Sequence, residues 1–104
     1  MAQMYMISYD LKDATSEEYQ ALFEALKLMG SNGWAHVLES TWLIACSLTT
    51  KQLQEQMKET VGAMRVSVSQ SSRWVITPIR LSEARAFIST ENVEWWRKAA
   101  SKGF

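Results

Sequence analysis

Cysteine, histidine, glycine and proline are scarce in this chain, and each scarcity removes a class of answer. The single cysteine, Cys46, has no partner for an internal disulfide and excludes a metal site built on cysteines; inside the apolar run 42–48 it reads as a small buried thiol. The single histidine, His36, leaves no ligand set at transition-metal spacing. Nor does Ser40 stand in a nucleophile-elbow motif that would make a Ser-His-Asp set with it. Four unclustered glycines exclude phosphate loops of the Walker or Rossmann type. Charge of one sign is missing as well: 11 basic residues balance 11 acidic ones, so no overall field draws in duplex nucleic acid. No apolar stretch reaches the length of a membrane span and the N-terminus lacks the pattern of a secretory signal, so a cytoplasmic protein without membrane contact is expected.

What is present is apolar surface. With 47% hydrophobic residues and five tryptophans among 104 residues, the chain can offset its conformational entropy by burial, and its length suits one domain over 1–104. Local charge asymmetry survives the zero total, because Arg65, Arg73, Arg80, Arg85, Arg97 and Lys98 all follow residue 64 and keep a basic patch open as an expectation.

The most informative stretch is 4–11, an almost wholly apolar strand that runs into a carboxylate, Asp10. Ligands of open α/β sheets gather at strand ends, which makes Asp10 the first candidate for chemistry. Thr15 with Glu18 forms a capping box that opens a helix, and Tyr19, Leu22, Phe23, Leu26 and Met29 give it one apolar face, with Gly30 expected to end it in a left-handed turn. Two strands follow, 34–39 and 41–48, with the break at Glu39-Ser40-Thr41 either a tight hairpin or a bulge in one long bent strand. Thr49 with Gln52 opens a second helix carrying Leu53, Met57, Val61 and Met64. Val66 and Val68 alternate with serines, which predicts a fourth strand. Residues 74–79 predict a further strand, placed at an edge because Pro78, the only proline, cannot donate to a ladder. A helical extension over 82–104 completes the chain.

This order predicts an α+β, ferredoxin-like βαββαβ domain with a four-stranded antiparallel sheet, an extra C-terminal edge strand and a C-terminal helix. Helices cover one face of such a sheet. The other is open unless something packs on it, and homodimerisation through the sheet is an economical way to bury its apolar residues.

The segments Ser8-Tyr9-Asp10-Leu11 and 33–44, Gly-Trp-Ala-His-Val-Leu-Glu-Ser-Thr-Trp-Leu-Ile, resemble the CRISPR-associated adaptation protein Cas-two and its standalone relatives, the VapD toxins and SinR-like proteins. The resemblance runs over about the first 75 residues. It implies a ferredoxin-like homodimer whose last strand, here 74–79, pairs with the partner's sheet. It also implies that Asp10 of both protomers holds a divalent metal, Mg²⁺ or Mn²⁺, for phosphodiester hydrolysis, with Ser40 matching the serine before the family's third strand. The tryptophan-rich tail and the absent positive charge depart from the family pattern, so RNA or a small nucleotide is expected as substrate ahead of duplex DNA.

Each candidate carries a plainer alternative. Asp10 is chemically sufficient as half of a Mg²⁺ site, or it caps the following turn by accepting backbone N–H bonds. His36 has the free pKa of a general acid or base, or it is a structural hydrogen bonder on a strand. Tyr9, Arg73 and Trp74 form the candidate nucleic-acid-binding set, since Trp74 beside Arg73 would stack a base and hold a phosphate; the alternative is packing. Trp95 and Trp96 read more readily as packing residues. At the level of function, the alternative to a nuclease is a non-enzymatic scaffold or toxin–antitoxin component that binds a protein partner through its edge strand or C-terminal tail.

Overall fold

The structure of the protein, a computed structural model, describes residues 1–104. Strand β1 (Gln3–Asp10) leads through helix α1 (Ser16–Met29) to the hairpin of β2 (Trp34–Leu38) and β3 (Thr41–Cys46). Helix α2 (Thr50–Gly62) and a single turn, α3 (Val66–Ser69), precede β4 (Arg73–Pro78); a 3-10 turn (Leu81–Glu83) and α4 (Thr90–Ser101) end the chain. The sheet has four strands in the order β2-β3-β1-β4, with every neighbouring pair antiparallel. That order, with two crossover helices, is the ferredoxin-like α+β arrangement.

Both long helices begin as the sequence predicts. Thr15 and Thr49 accept the N–H groups of Glu18 and Gln52, whose side chains return the bond to the cap backbone. Leu22, Leu26 and Met29 of α1 and Leu53, Met57 and Val61 of α2 then pack on Tyr5, Ile7, Tyr9, Trp42 and Ile44, forming the main core on one sheet face. Of the two forms expected at residues 39–41, the tight hairpin is the one observed, and the bulge lies within β2 instead. Ser40 lies in the hairpin turn, and the register shifts between His36 and Leu38 in the bulge.

Four expectations are corrected. Residues Val66–Ser69 are helical rather than a strand, because their N–H and C=O groups pair locally: Val68 and Ser69 donate to Arg65 O, and Gln70 donates to Val66 O. A strand would put both valines on one side, whereas Val68 is fully buried and Val66 is exposed. In consequence there is no extra strand. The Arg73–Pro78 segment is the fourth strand itself, filling the free edge of β1.

Gly30 ends α1 at φ −82° rather than in a left-handed turn. A glycine is required there by close approach, since a Cβ would lie 2.8 Å from Gly33 O and 3.0 Å from Trp34 Cβ. Residues 82–104 are not one helix. After the 3-10 turn the chain runs without regular structure to Ser89, whose hydroxyl accepts the N–H of Asn92 and caps α4.

The second sheet face is not left open for a partner along its whole width. α4 folds back on it, so that Ala99, Trp95, Trp96 and Phe104 pack against Met4, Leu43, Ala45 and Val37. Both tryptophans are packing residues, the alternative that the sequence favours for them. The cover is partial: Met6 and Ser8 are half-buried on that face, and Val75 of β4 is 64% exposed.

Two glycine variants test this packing. Gly30→Ala should lower unfolding stability by about 1–3 kcal/mol through overpacking. Gly62→Ala, where no atom lies within 4 Å of the added methyl, should raise stability by about 0.5–1 kcal/mol. Urea denaturation of both variants against wild type measures the contrast.

Candidate functional site

Side chains alternate across β1, and this alternation sorts the candidates. Tyr5, Ile7 and Tyr9 enter the helix-covered core, while Met4, Met6, Ser8 and Asp10 take the other face. Asp10 ends the strand with 62% of its side chain exposed. Its one ion pair is to Lys12 Nζ at 3.1 Å, itself 56% exposed, a geometry that binds weakly in water. The turn-capping alternative for Asp10 is not realised. The nearby backbone donor, Lys12 N–H, goes instead to Ser72 Oγ at 3.2 Å.

Around Asp10 the same face carries polar groups. Ser8 Oγ and Thr41 Oγ1 share a hydrogen bond of 2.9 Å across β1 and β3. Arg73 stands opposite Asp10 in the β1–β4 register, yet its guanidinium donates to the carbonyls of Gln70 (3.1 Å) and Ser72 (2.8 Å). Ser40 comes to the same end of the sheet, because its carbonyl accepts the Tyr9 N–H at 3.0 Å, and the residue is exposed. The fold therefore brings Asp10, Ser40 and Arg73 to one end of the sheet.

His36, Tyr9 and Trp74 do not join them. The His36 ring stacks on Trp42 at 4.6 Å and 19°, lies 5.1 Å from the Phe23 ring, and donates from Nε2 to Glu39 O at 3.0 Å. It thus belongs to the helix-covered face, across the sheet from Asp10. Tyr9 is 5% exposed; its hydroxyl accepts from Trp42 Nε1 at 3.3 Å and donates to Glu39 O at 3.4 Å, and burial pushes its pKa up. A base cannot stack on it. Trp74 turns toward α2, where Nε1 donates to Gln54 Oε1 at 2.7 Å, so it and Arg73 project from opposite faces of β4. Burial also raises the Cys46 thiol, in keeping with the inert role read for it.

The strongest electrostatic contact lies elsewhere. Glu18 takes Arg65 NH2 at 2.8 Å and Arg65 Nε at 3.1 Å on one carboxylate oxygen, and the Arg65 backbone N–H at 3.1 Å on the other. Arg65 also donates to Asp13 O at 2.8 Å. The Arg65 side chain, helped by the Thr15 cap, holds the Glu18 carboxyl down at about 2. The capping box marked Glu18 in the sequence, but nothing local signals a partner 47 positions away.

No group of three or more His, Cys, Asp and Glu side chains converges within the chain. The chain therefore holds no ready-made set of three such ligands for a hard cation; Asp10 stands exposed with hydroxyl groups beside it. That donor set fits Mg²⁺ or Mn²⁺, which accept one or two carboxylates and fill the remainder with water and phosphate, only if further oxygens come from substrate or a second copy.

The topology and layers define a ferredoxin-like α+β protein. Among solved structures it is similar to a hypothetical protein, TT1823, from Thermus thermophilus, with a TM-score of 0.55 and 17% identity over 86% of this chain and 96% of that one. No protein family and no curated protein matches the chain. The likeness establishes the fold and leaves the chemistry to the residues. No helix is long and apolar enough to cross a membrane.

The Glu18 contact generates a pH dependence. A carboxyl held near 2 in the folded chain contributes stability that is complete above its unfolded value, about 4.3, and is lost as pH falls toward 2. Urea midpoints of wild type should therefore drop between these pH values more steeply than those of Glu18→Gln, which should be less stable at pH 7 and nearly equal at pH 2.

Proposed function

We propose that the protein is a cytoplasmic, Cas-two-like homodimer that binds nucleic acid or a nucleotide, with Asp10 from both protomers forming a Mg²⁺ or Mn²⁺ site for phosphodiester hydrolysis. The observation that carries this reading is the placement of Asp10: it ends the central strand β1, exposed, on the part of the sheet that α4 leaves bare. A second copy would bring a second Asp10 carboxylate, and two carboxylates suffice for such an ion. When bound, the ion would supply Lewis acidity to a phosphate oxygen and lower the pKa of a bound water.

The chain's own residues narrow what else takes part. Ser40, exposed at the same end, would contact a substrate phosphate through its hydroxyl, and Arg73, opposite Asp10 in the register, would supply a guanidinium. His36, Tyr9 and Trp74 act through packing, holding the strand ends in place. Zero net charge favours RNA or a small phosphodiester gripped at one patch over a wrapped duplex.

A second reading is favoured by one feature, the free edge of β4 with Val75 64% exposed. An unpaired edge beside an apolar side chain suits a non-enzymatic scaffold or toxin–antitoxin component that adds a partner's strand.

Cleavage of labelled RNA, DNA and small cyclic oligonucleotides, titrated with Mg²⁺ and Mn²⁺, separates the two. Metal-dependent cleavage that falls at least about a hundredfold in Asp10→Ala is the expected outcome. Full cleavage by Asp10→Ala, or none by wild type, removes the metal site and leaves the edge-strand reading. Sedimentation of both proteins reports the homodimer.

A further inference from the structure

We infer that the groove between the irregular segment 84–89 and α4 is a binding site for a small amphipathic anion, an apolar or aromatic body bearing one carboxylate or phosphate. The site is independent of the Asp10 chemistry.

The chain builds this groove from its last elements. The 3-10 turn is fixed by Leu81 N–H donating to Phe104 O at 2.6 Å, and Leu81 itself is 2% exposed. From there Ala84 leaves the turn extended (φ −114°, ψ 157°), and the strap rejoins regular structure only at the Ser89 cap. Between strap and helix lies a cavity of about 350 Å³. Buried Leu81 and half-buried Ile88, Val93 and Trp96 make its apolar lining, while exposed Arg85 and Arg97 also line it. A volume in this range, apolar inside with a few convergent polar groups, is the usual form of a small-molecule site.

Charge complementarity selects the ligand. The chain has three ion pairs, and neither arginine belongs to one of them. Arg85 NH1 donates only to the adjacent Ala84 carbonyl at 3.1 Å, although Glu91 and Glu94 lie on the same helix as Arg97. Two arginines that belong to no ion pair, both lining an apolar groove, favour an anionic head over a neutral or cationic one, since Arg binds carboxylate and phosphate through a planar fork of donors. Trp96 in the wall gives an aliphatic or aromatic body a flat contact.

The test uses the full chain and 8-anilinonaphthalene-1-sulfonate, an aromatic anion whose fluorescence rises in apolar surroundings. Saturable binding is expected, displaced by octanoate if the natural head is a carboxylate on an aliphatic body, or by adenosine monophosphate if it is a phosphate on an aromatic one. Octanol and adenosine, lacking the charge, should compete at least about tenfold more weakly, a comparison that needs no variant. The double variant R85Q/R97Q, with wild-type circular dichroism and Tm, should lose about tenfold or more in affinity. Unchanged affinity in that variant, equal competition by the neutral analogues, or displacement by neither anion would overturn the site.

Discussion

β1 contributes to both faces of the sheet and to two of its three pairings, and the rest of the structure depends on its register. It is bonded to β3 on one edge and β4 on the other, so a shift by one residue would invert every side chain along it. Tyr9 would then lose its hydrogen bonds to Trp42 and Glu39, and Asp10 would enter the core with no cation inside to receive it. Burying an unpaired carboxylate costs far more than the exposed pair with Lys12 returns. The exposure of Asp10 is thus a consequence of the register that buries Tyr5, Ile7 and Tyr9.

Around that strand the two faces are held by different means. On the helix side, Trp42 is shared by Tyr9, His36, Phe23 and Trp34, whose rings and hydroxyl surround it, while the Glu18–Arg65 contact ties the start of α1 to the segment after α2. On the other side a single helix, α4, does the covering, and it lies over β2 and β3 rather than β4. This asymmetry leaves a strip along half-buried Ser8 and exposed Asp10 and Val75 without a helix over it, while the 84–89 strap forms one wall of the groove beside α4.

Much of the fold is legible along the chain. Thr15/Glu18 and Thr49/Gln52 mark the helix starts because capping is a local exchange of hydrogen bonds, and the spacing of Leu22, Leu26 and Met29 marks a buried face because helical periodicity is local too. Pro78 places its strand at an edge for a reason that needs no neighbours. The alternation Val66-Ser-Val-Ser misleads because four residues carry too little periodic signal to outweigh backbone bonding within one turn. Gly30 misleads differently. Its glycine answers a close approach by Gly33 and Trp34 that sequence spacing does not express.

The candidate site divides along the same line. By itself the sequence determined that a carboxylate ends an apolar strand, that no cysteine or histidine cluster competes with it, and that the domain has the strand and helix order of a ferredoxin-like fold. Those properties rest on composition and on periods of a few residues. Only the tertiary structure decided that Asp10 and Ser40 come to one end of the sheet while His36 and Trp74 face the helices, and which sheet face Trp95 and Trp96 pack on. Which face of a strand a side chain takes, and what covers that face, is set by register and by elements dozens of residues away, and no local pattern encodes either.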